Sequence, residues 1–157
     1  TKALGTNSYQ EYIQEFAKIV PQDVLSFDFY PILTDAIHEN WYEGLGIFSK
    51  ETATLKKPFW GFALASSYND LHPIPNIPAL RLQAYSNLAY GAQGIELWAY
   101  WMTEGLRSAP ISLDGKRTVV YERIQALSKE IQPYAPIFMG SKLISVNFLI
   151  DLVIFST

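Results

Sequence analysis

The sequence has 157 residues with 49% hydrophobic and 17% charged side chains, which suits one globular domain with a sizeable core. Its net charge is −3, and its basic residues are scattered, so neither a nucleic-acid nor a membrane surface is predicted. The absence of cysteine excludes disulfides and thiolate metal sites.

The first two predicted elements are a helix and a strand. Ser8 and Glu11 have the spacing of a capping box, and apolar residues then recur at helical intervals. A strand is predicted over 23–31, because its side chains alternate strictly between two faces. One face is apolar, whereas the other becomes polar toward the strand's end, at Asp28 and Tyr30.

A second helix and a second strand follow. Asn40 and Glu43 repeat the cap-plus-three spacing and predict a helix that runs to about Leu55. Residues 59–65 are an apolar run in which small and large side chains alternate, which is typical of a buried parallel strand. A loop rich in Pro, Asn and Asp occupies 66–76.

The last predicted elements complete the alternation. Pro78 opens a third helix and Gly91 is placed to end it, while Arg81 on this helix is expected in an ion pair on the surface or between units. A strand is predicted over 94–101. The fourth helix has apolar residues in register at Val120, Ile124, Leu127 and Ile131.

The order of elements predicts an α/β fold with a parallel sheet and right-handed crossovers. A closed eight-fold barrel typically takes ~250 residues, more than this chain has. A partial (half) TIM barrel of about four βα units over 1–141 is one fold that this length and order allow. The apolar segment 142–157 is shorter than the ~20 residues of a membrane-spanning helix and is interpreted as a strand-like tail. A smaller doubly wound sheet and a piece of a longer protein stay open.

Three segments resemble the sixth, seventh and eighth βα units of clan A glycoside hydrolases. They are DVLSFDFYPI at 23–32, PFWGFALAS at 58–66 and LRLQAYSNLAYGAQGIELWAYW at 80–101. The likeness is greatest to the β-galactosidase-type barrels of glycoside hydrolase family 42, and it extends over about half of a family member. The resemblance therefore implies the partial (half) TIM barrel among the folds left open above. The resemblance implies hydrolysis of O-glycosidic bonds by two carboxyl groups, ~5 Å apart in retaining enzymes, without a cofactor. It also favours an extracytoplasmic location.

The sequence departs from the family's pattern at both catalytic positions. The family's acid/base Glu lies in the fourth unit, which we expect before Thr1. At the seventh strand, Leu64, Ala65 and Ser66 stand where the nucleophile Glu is expected. None of these three side chains is a carboxylate, so the visible residues do not support the retaining mechanism.

Candidate site residues share the inward face at the carboxyl ends of the strands, where barrel enzymes place working groups, or lie in the adjoining loop. Two carboxylates are candidate catalytic residues, one as a relocated acid and one as an acid of raised pKa if it is desolvated. Structural hydrogen bonds are the alternative for both. The candidate catalytic residues are Asp28 and Glu96, and the candidate substrate-binding residues are Tyr30, Trp98, Tyr100 and His72, with Trp98 as a platform for a sugar ring.

Three functional hypotheses stay open. The chain is a carbohydrate-recognising barrel fragment that hydrolyses only when the missing units are supplied, a non-catalytic carbohydrate-binding remnant, or a fragment without independent function. Four βα units leave two open sheet edges, which predicts a homo-oligomer in which two copies close one ring. No residues have metal-ligand spacing, so no metal or cofactor is predicted.

Overall fold

The computed structural model describes residues 4–145. Helices and strands alternate along these residues, as the sequence predicts. The α/β class and the parallel sheet are confirmed, with three strands in the described part of the chain. The elements are α1 (Tyr9–Ile19), β1 (Leu25–Phe27), α2 (Trp41–Thr54), β2 (Phe59–Leu64), α3 (Ile77–Ala89), β3 (Gly94–Trp98), α4 (Val119–Ile131), a 3-10 turn (Gln132–Tyr134) and α5 (Ala135–Phe138).

β2 is the central strand and pairs in parallel with β1 on one side and β3 on the other. Leu25 is opposite Phe59, and Trp60 is opposite Gly94, so all three strands begin at one level. Within residues 4–145, β1 and β3 each pair with β2 alone and are therefore edge strands. The amino ends of the strands thus lie together, and so do their carboxyl ends.

One face of the sheet is covered by helices. Leu25 and Phe27 of β1 and Phe59 of β2 are buried there against a core that α1 and α2 supply. Burial of these apolar side chains supplies the main stabilisation of the fold, because each fully buried large apolar side chain contributes about 1.5–3 kcal/mol. The buried residues of this core from α1 and α2 are Ile13, Trp41, Leu45 and Phe48.

The opposite face is open within the described residues. Trp60 on β2 is 43% exposed and Trp98 on β3 is 36% exposed, although both are large aromatic side chains. Ser26 of β1, which is paired in register with Trp60, is also exposed. The helices therefore cover one face only, and the other face is partly exposed, with Leu64 buried near its carboxyl end.

Amide side chains of α3 bind β2 where β1 stops pairing with it. The β1–β2 register ends at Gly61, so later backbone groups of β2 need other partners. Asn87 Nδ2 donates to the Phe62 carbonyl at 3.1 Å, and Gln83 Oε1 accepts from the Leu64 amide at 2.8 Å. A side chain at Gly61 would collide with Asn87, since a Cβ there would lie 2.2 Å from the Asn87 amide. Glycine therefore allows this close approach.

Of the two predicted helix caps, the one at Ser8 is confirmed and the one at Asn40 is wrong. The Ser8 hydroxyl accepts from the Glu11 amide at 3.1 Å, and Glu11 accepts from the Asn7 amide at 2.9 Å. Asn40 precedes α2 as predicted but makes no capping hydrogen bond with its side chain. Its backbone, at φ −87° and ψ 8°, is not extended as a capping residue normally is.

The predicted strands are longer than the observed ones. Pairing of β1 ends at Phe27, and the chain leaves the sheet before a turn in which the His38 amide donates to the Pro31 carbonyl at 2.7 Å. The expected ion pair of Arg81 is present and joins α3 to Glu130 of α4 at 2.6 Å. Tyr85 also donates to Glu130, at 3.0 Å, so three side chains connect these helices.

The predicted strand-like tail over 142–157 lies largely outside the described residues, which end at Ser145. Residues 142–145 form neither helix nor strand. Within residues 4–145, no helix combines the length and the apolar character that crossing a membrane would require.

Candidate functional site

Four aromatic side chains meet at the carboxyl end of the sheet, and we call them the carboxyl-end cluster: Tyr30, Tyr68, His72 and Trp98. The Tyr30 and Trp98 ring centroids are 5.9 Å apart at an interplanar angle of 31°. Tyr68 meets Trp98 edge-on, with centroids 5.3 Å apart. Trp98 ends β3 and keeps 36% of its surface exposed, so an accessible indole is held between two tyrosines.

His72 packs against the rest of the carboxyl-end cluster from the buried side. His72, a candidate substrate-binding residue of the loop, is buried, at 8% exposure. Its ring stacks on Tyr68, with centroids 4.6 Å apart, and its Nδ1 lies 3.0 Å from the Ile32 carbonyl oxygen. Asn69 Oδ1 accepts from the His72 amide at 2.9 Å. The histidine thus positions Tyr68 rather than projecting into solvent.

Asp28 lies one residue beyond β1 and accepts a hydrogen bond from the Tyr30 hydroxyl. Burial raises the pKa of Tyr30 far above its usual value, and the hydrogen bond to Asp28 and the negative charges of Asp28 and Glu96 raise it further. Tyr30 therefore stays protonated and remains a donor. Asp28 itself is exposed, so its carboxylate can also accept hydrogen bonds from a ligand.

Glu96 lies on the same open face, two residues before Trp98. Its Oε1 accepts from the Ser26 hydroxyl at 2.9 Å, which ties β3 to β1 across β2. Among residues 4–145, neither Glu96 nor Asp28 forms an ion pair. The open face therefore carries two carboxylates without a matching cation from the described part of the chain.

Tyr100 is separate from these rings. It lies two residues beyond β3, is 53% exposed, and makes no ring contact with another described residue. Its carbonyl accepts from the Ile111 amide at 3.0 Å, which directs the chain into the following loop. The structure thus brings Asp28, Tyr30 and Trp98 together with His72, and leaves Tyr100 at the edge of the group.

Tyr68 was not predicted as a site residue. It lies in the loop after β2, and nothing in the periodicity of that loop distinguishes it from a solvated tyrosine. The usable signal is positional, because Tyr68 follows the carboxyl end of a predicted strand at a distance of a few residues. Its pKa is raised by burial first and by the charge of Asp28 second, which agrees with a place beside the predicted residues.

The position expected for a nucleophile has a structural role. Leu64, Ala65 and Ser66 are all buried. The Ser66 hydroxyl donates to the Trp98 carbonyl at 3.3 Å and accepts from the Ala99 amide at 3.2 Å, so it connects the ends of β2 and β3. This arrangement orients the backbone under Trp98 and offers no group that could form a glycosyl ester.

The carboxyl end of the sheet combines a flat apolar surface with hydrogen-bond acceptors. Among residues 4–145, no group of three His, Asp or Glu side chains lies close enough to hold a metal ion. Comparisons with protein-family models, curated proteins and solved structures find no match. What the site does must therefore be inferred from its own geometry.

Proposed function

We propose that the carboxyl end of the sheet binds a carbohydrate. The observation that carries the proposal is the exposed indole of Trp98, held between Tyr30 and Tyr68, with the carboxylates of Asp28 and Glu96 on the same face. A pyranose presents apolar C–H groups on its faces and hydroxyl donors at its rim. The face of the indole can contact the C–H groups, and the carboxylates can accept hydrogen bonds from the hydroxyls.

A partial barrel is the finer fold that we propose for this sheet. Doubly wound sheets carry helices on both faces, whereas barrels carry them on the outside only. The helices of residues 4–145 cover one face of the sheet, and the other face carries Ser26, Trp60, Glu96 and Trp98. That asymmetry favours the barrel reading and the resemblance to clan A glycoside hydrolases over the doubly wound alternative.

Binding without hydrolysis is the activity proposed for the chain alone. Ser66 occupies the place of the expected nucleophile and is engaged with the backbone of Trp98 and Ala99. Nitrophenyl glycosides of galactose, glucose and xylose test this directly. We expect no release of nitrophenol above the buffer rate, and release that disappears in Asp28→Asn and Glu96→Gln would instead support an enzyme.

The binding itself is tested by calorimetry with galacto-, cello-, xylo- and chito-oligosaccharides. Trp98→Ala should weaken the binding of any oligosaccharide that binds by about tenfold or more, the usual loss when a central aromatic anchor is truncated. Trp60→Ala is the matched control, because Trp60 is exposed on the same face but near the amino end. Equal losses in both variants, or no binding at all, would contradict the proposal.

We further propose that a second copy of the chain pairs with its open strands. β1 and β3 have no second strand partner within residues 4–145, and unpaired strand edges recruit other strands. Light scattering should therefore give at least twice the mass of one chain. A monodisperse monomer would contradict this pairing without affecting the proposed binding of carbohydrate.

A further inference from the structure

A second candidate site lies at the opposite end of the sheet, and we call it the lysine cavity. It has a volume of about 1080 Å³. It is bounded by the end of α2, the start of β2, the turn between α3 and β3, and residues 140–144. This volume slightly exceeds the ~300–1,000 Å³ that is typical of cavities holding small organic ligands.

Four lysines line this cavity: Lys50, Lys56, Lys57 and Lys142. None of the described residues that line it is acidic, although the protein as a whole has a net charge of −3. Lys57 donates to the Gln22 carbonyl. The other three ammonium groups have no hydrogen bond or ion pair with residues 4–145. Clustered cations without counter-ions attract an anion.

Lys56 occupies a backbone position that normally favours glycine. It follows the C-cap of α2, Leu55, and its φ is +55°. Glycine or asparagine usually ends a helix in this left-handed conformation, because a Cβ is disfavoured there. A lysine at this position gives up local stability and places a cation at the rim of the cavity.

The inner wall of the lysine cavity is apolar at Phe59, Tyr90 and Leu143, whereas Pro58 and Ile144 are exposed at its rim. The nearby hydroxyls are already used, since Ser49 donates to the Tyr90 carbonyl at 2.5 Å and Thr52 donates to the Ser49 carbonyl at 2.9 Å. The lysine ammonium groups are thus the available donors. The matching ligand has a negatively charged head and an apolar body.

We propose that the lysine cavity binds an amphipathic anion of the fatty-acid class. The carboxylate meets the ammonium groups of Lys50, Lys56 and Lys142, and the acyl chain lies against the apolar walls. This inference is independent of the carbohydrate proposal, because the cavity lies at the amino end of the strands and shares no residue with the carboxyl-end cluster.

The test is a calorimetric titration of the full chain with octanoate, octan-1-ol and acetate. Octanoate should bind saturably at one site, octanol at least about fivefold more weakly, and acetate not measurably, because one charge–charge contact in water is worth about a factor of five. Octanoate affinity should fall as salt is raised. No octanoate binding, or equal binding of octanoate and octanol, would overturn the proposal.

Variants locate the site. Lys56→Gly should weaken octanoate binding about fivefold while raising the melting temperature, because glycine relieves the left-handed backbone. Because octanoate affinity falls while the melting temperature rises, weaker binding in this variant cannot be explained by unfolding. Lys129→Gln, an exposed lysine on α4 outside the cavity, is the charge-matched control and should change neither quantity. Octanoate binding that is equally weakened in both variants would overturn the assignment.

Discussion

The two ends of one small parallel sheet carry opposite chemistry. At the carboxyl end, Asp28 lies beside tyrosines and an exposed indole, and Glu96 lies farther from that end on the same face. No described cation pairs with either carboxylate. At the amino end, lysines surround a cavity whose described lining contains no carboxylate. Parallel strands bring like ends together, so each end collects the residues that begin or finish every strand.

The two ends of the sheet also differ in the elements that contribute their site residues. The carboxyl end takes side chains from one face of the strands and from the loop that bears Tyr68 and His72. The lysine cavity takes them from the end of α2 and from residues 140–144. Strand alternation therefore predicts much of the first site, whereas the second depends on how helices and connections pack.

The largest expected effect comes from breaking the sheet between its two ends. Gly61→Ala would place a Cβ 2.2 Å from the buried Asn87 amide. We expect a loss of about 1–3 kcal/mol in the free energy of unfolding, as overpacking in a core normally causes, and weaker binding at both ends. Urea denaturation followed by circular dichroism measures the loss.

Gly46→Ala is the matched control for this substitution. A Cβ at Gly46 makes ordinary contact, 3.7 Å from Tyr90, and the position lies inside α2. Alanine there should raise stability by up to about 1 kcal/mol, because it favours the helix more than glycine does. If both variants had the same effect, the close approach of α3 to β2 would not be the reason for Gly61.

An intermediate loss of stability is expected when the hydroxyl of a tyrosine at the carboxyl end is removed, and a smaller loss when the tyrosine lies at the amino end. Tyr30→Phe removes the hydrogen bond to Asp28 and should cost about 1 kcal/mol at neutral pH. Tyr90→Phe should cost little, because the Tyr90 hydroxyl has no hydrogen-bond partner within residues 4–145. Chemical denaturation at pH 7 compares the two variants.

Alkaline pH gives these tyrosines a second readout. Burial raises the pKa of both in the folded state, so the folded protein keeps protons that the unfolded chain releases near pH 10. Their contribution is complete below about pH 10 and is lost as the pH rises through the folded-state values. Each Phe variant should therefore lose stability less steeply above about pH 10, and an unchanged slope would contradict the assigned protonation.

The smallest effect is expected outside both sites, at the Arg81–Glu130 ion pair. Hydrogen bonds from Arg81 and then from Tyr85 lower the pKa of Glu130. Stability from this carboxylate is present above its unfolded pKa and is lost as the pH falls through the folded value. Glu130→Gln should lower the melting temperature slightly at pH 7, with the difference shrinking below about pH 4, and should leave binding at both ends unchanged.

The sequence predicts the order of elements better than their ends. Ser8 and Glu11 predict the start of α1 because a capping box is local and involves only neighbouring residues. Asn40 has the same spacing but no capping bond, since the preceding turn sets its backbone. The predicted strand over 23–31 is longer than β1, because side-chain alternation does not show where the backbone stops pairing with β2.

The site was predictable in part for the same reason. Alternation along the strands places Asp28, Tyr30, Glu96 and Trp98 on one face. The structure brings Asp28, Tyr30 and Trp98 to one end of the sheet, with Glu96 farther from that end on the same face. The burial of His72 and the role of Tyr68 depend on loop packing, which has no periodic signal. The buried amides of Gln83 and Asn87 were likewise missed, because polar residues inside a helix normally indicate an exposed position.

The most direct test of the account uses fluorine NMR of the protein labelled with 5-fluorotryptophan. Its four tryptophans give one resonance each, assigned by single Trp→Phe variants. Trp41 is fully buried, Trp60 lies near the amino end of the open face, and Trp101 is exposed beyond β3. Titration with an oligosaccharide that binds in calorimetry should shift the Trp98 resonance most, and leave that of Trp41 unmoved. A saturable shift confined to Trp60 or Trp101 would contradict carbohydrate binding at the carboxyl end.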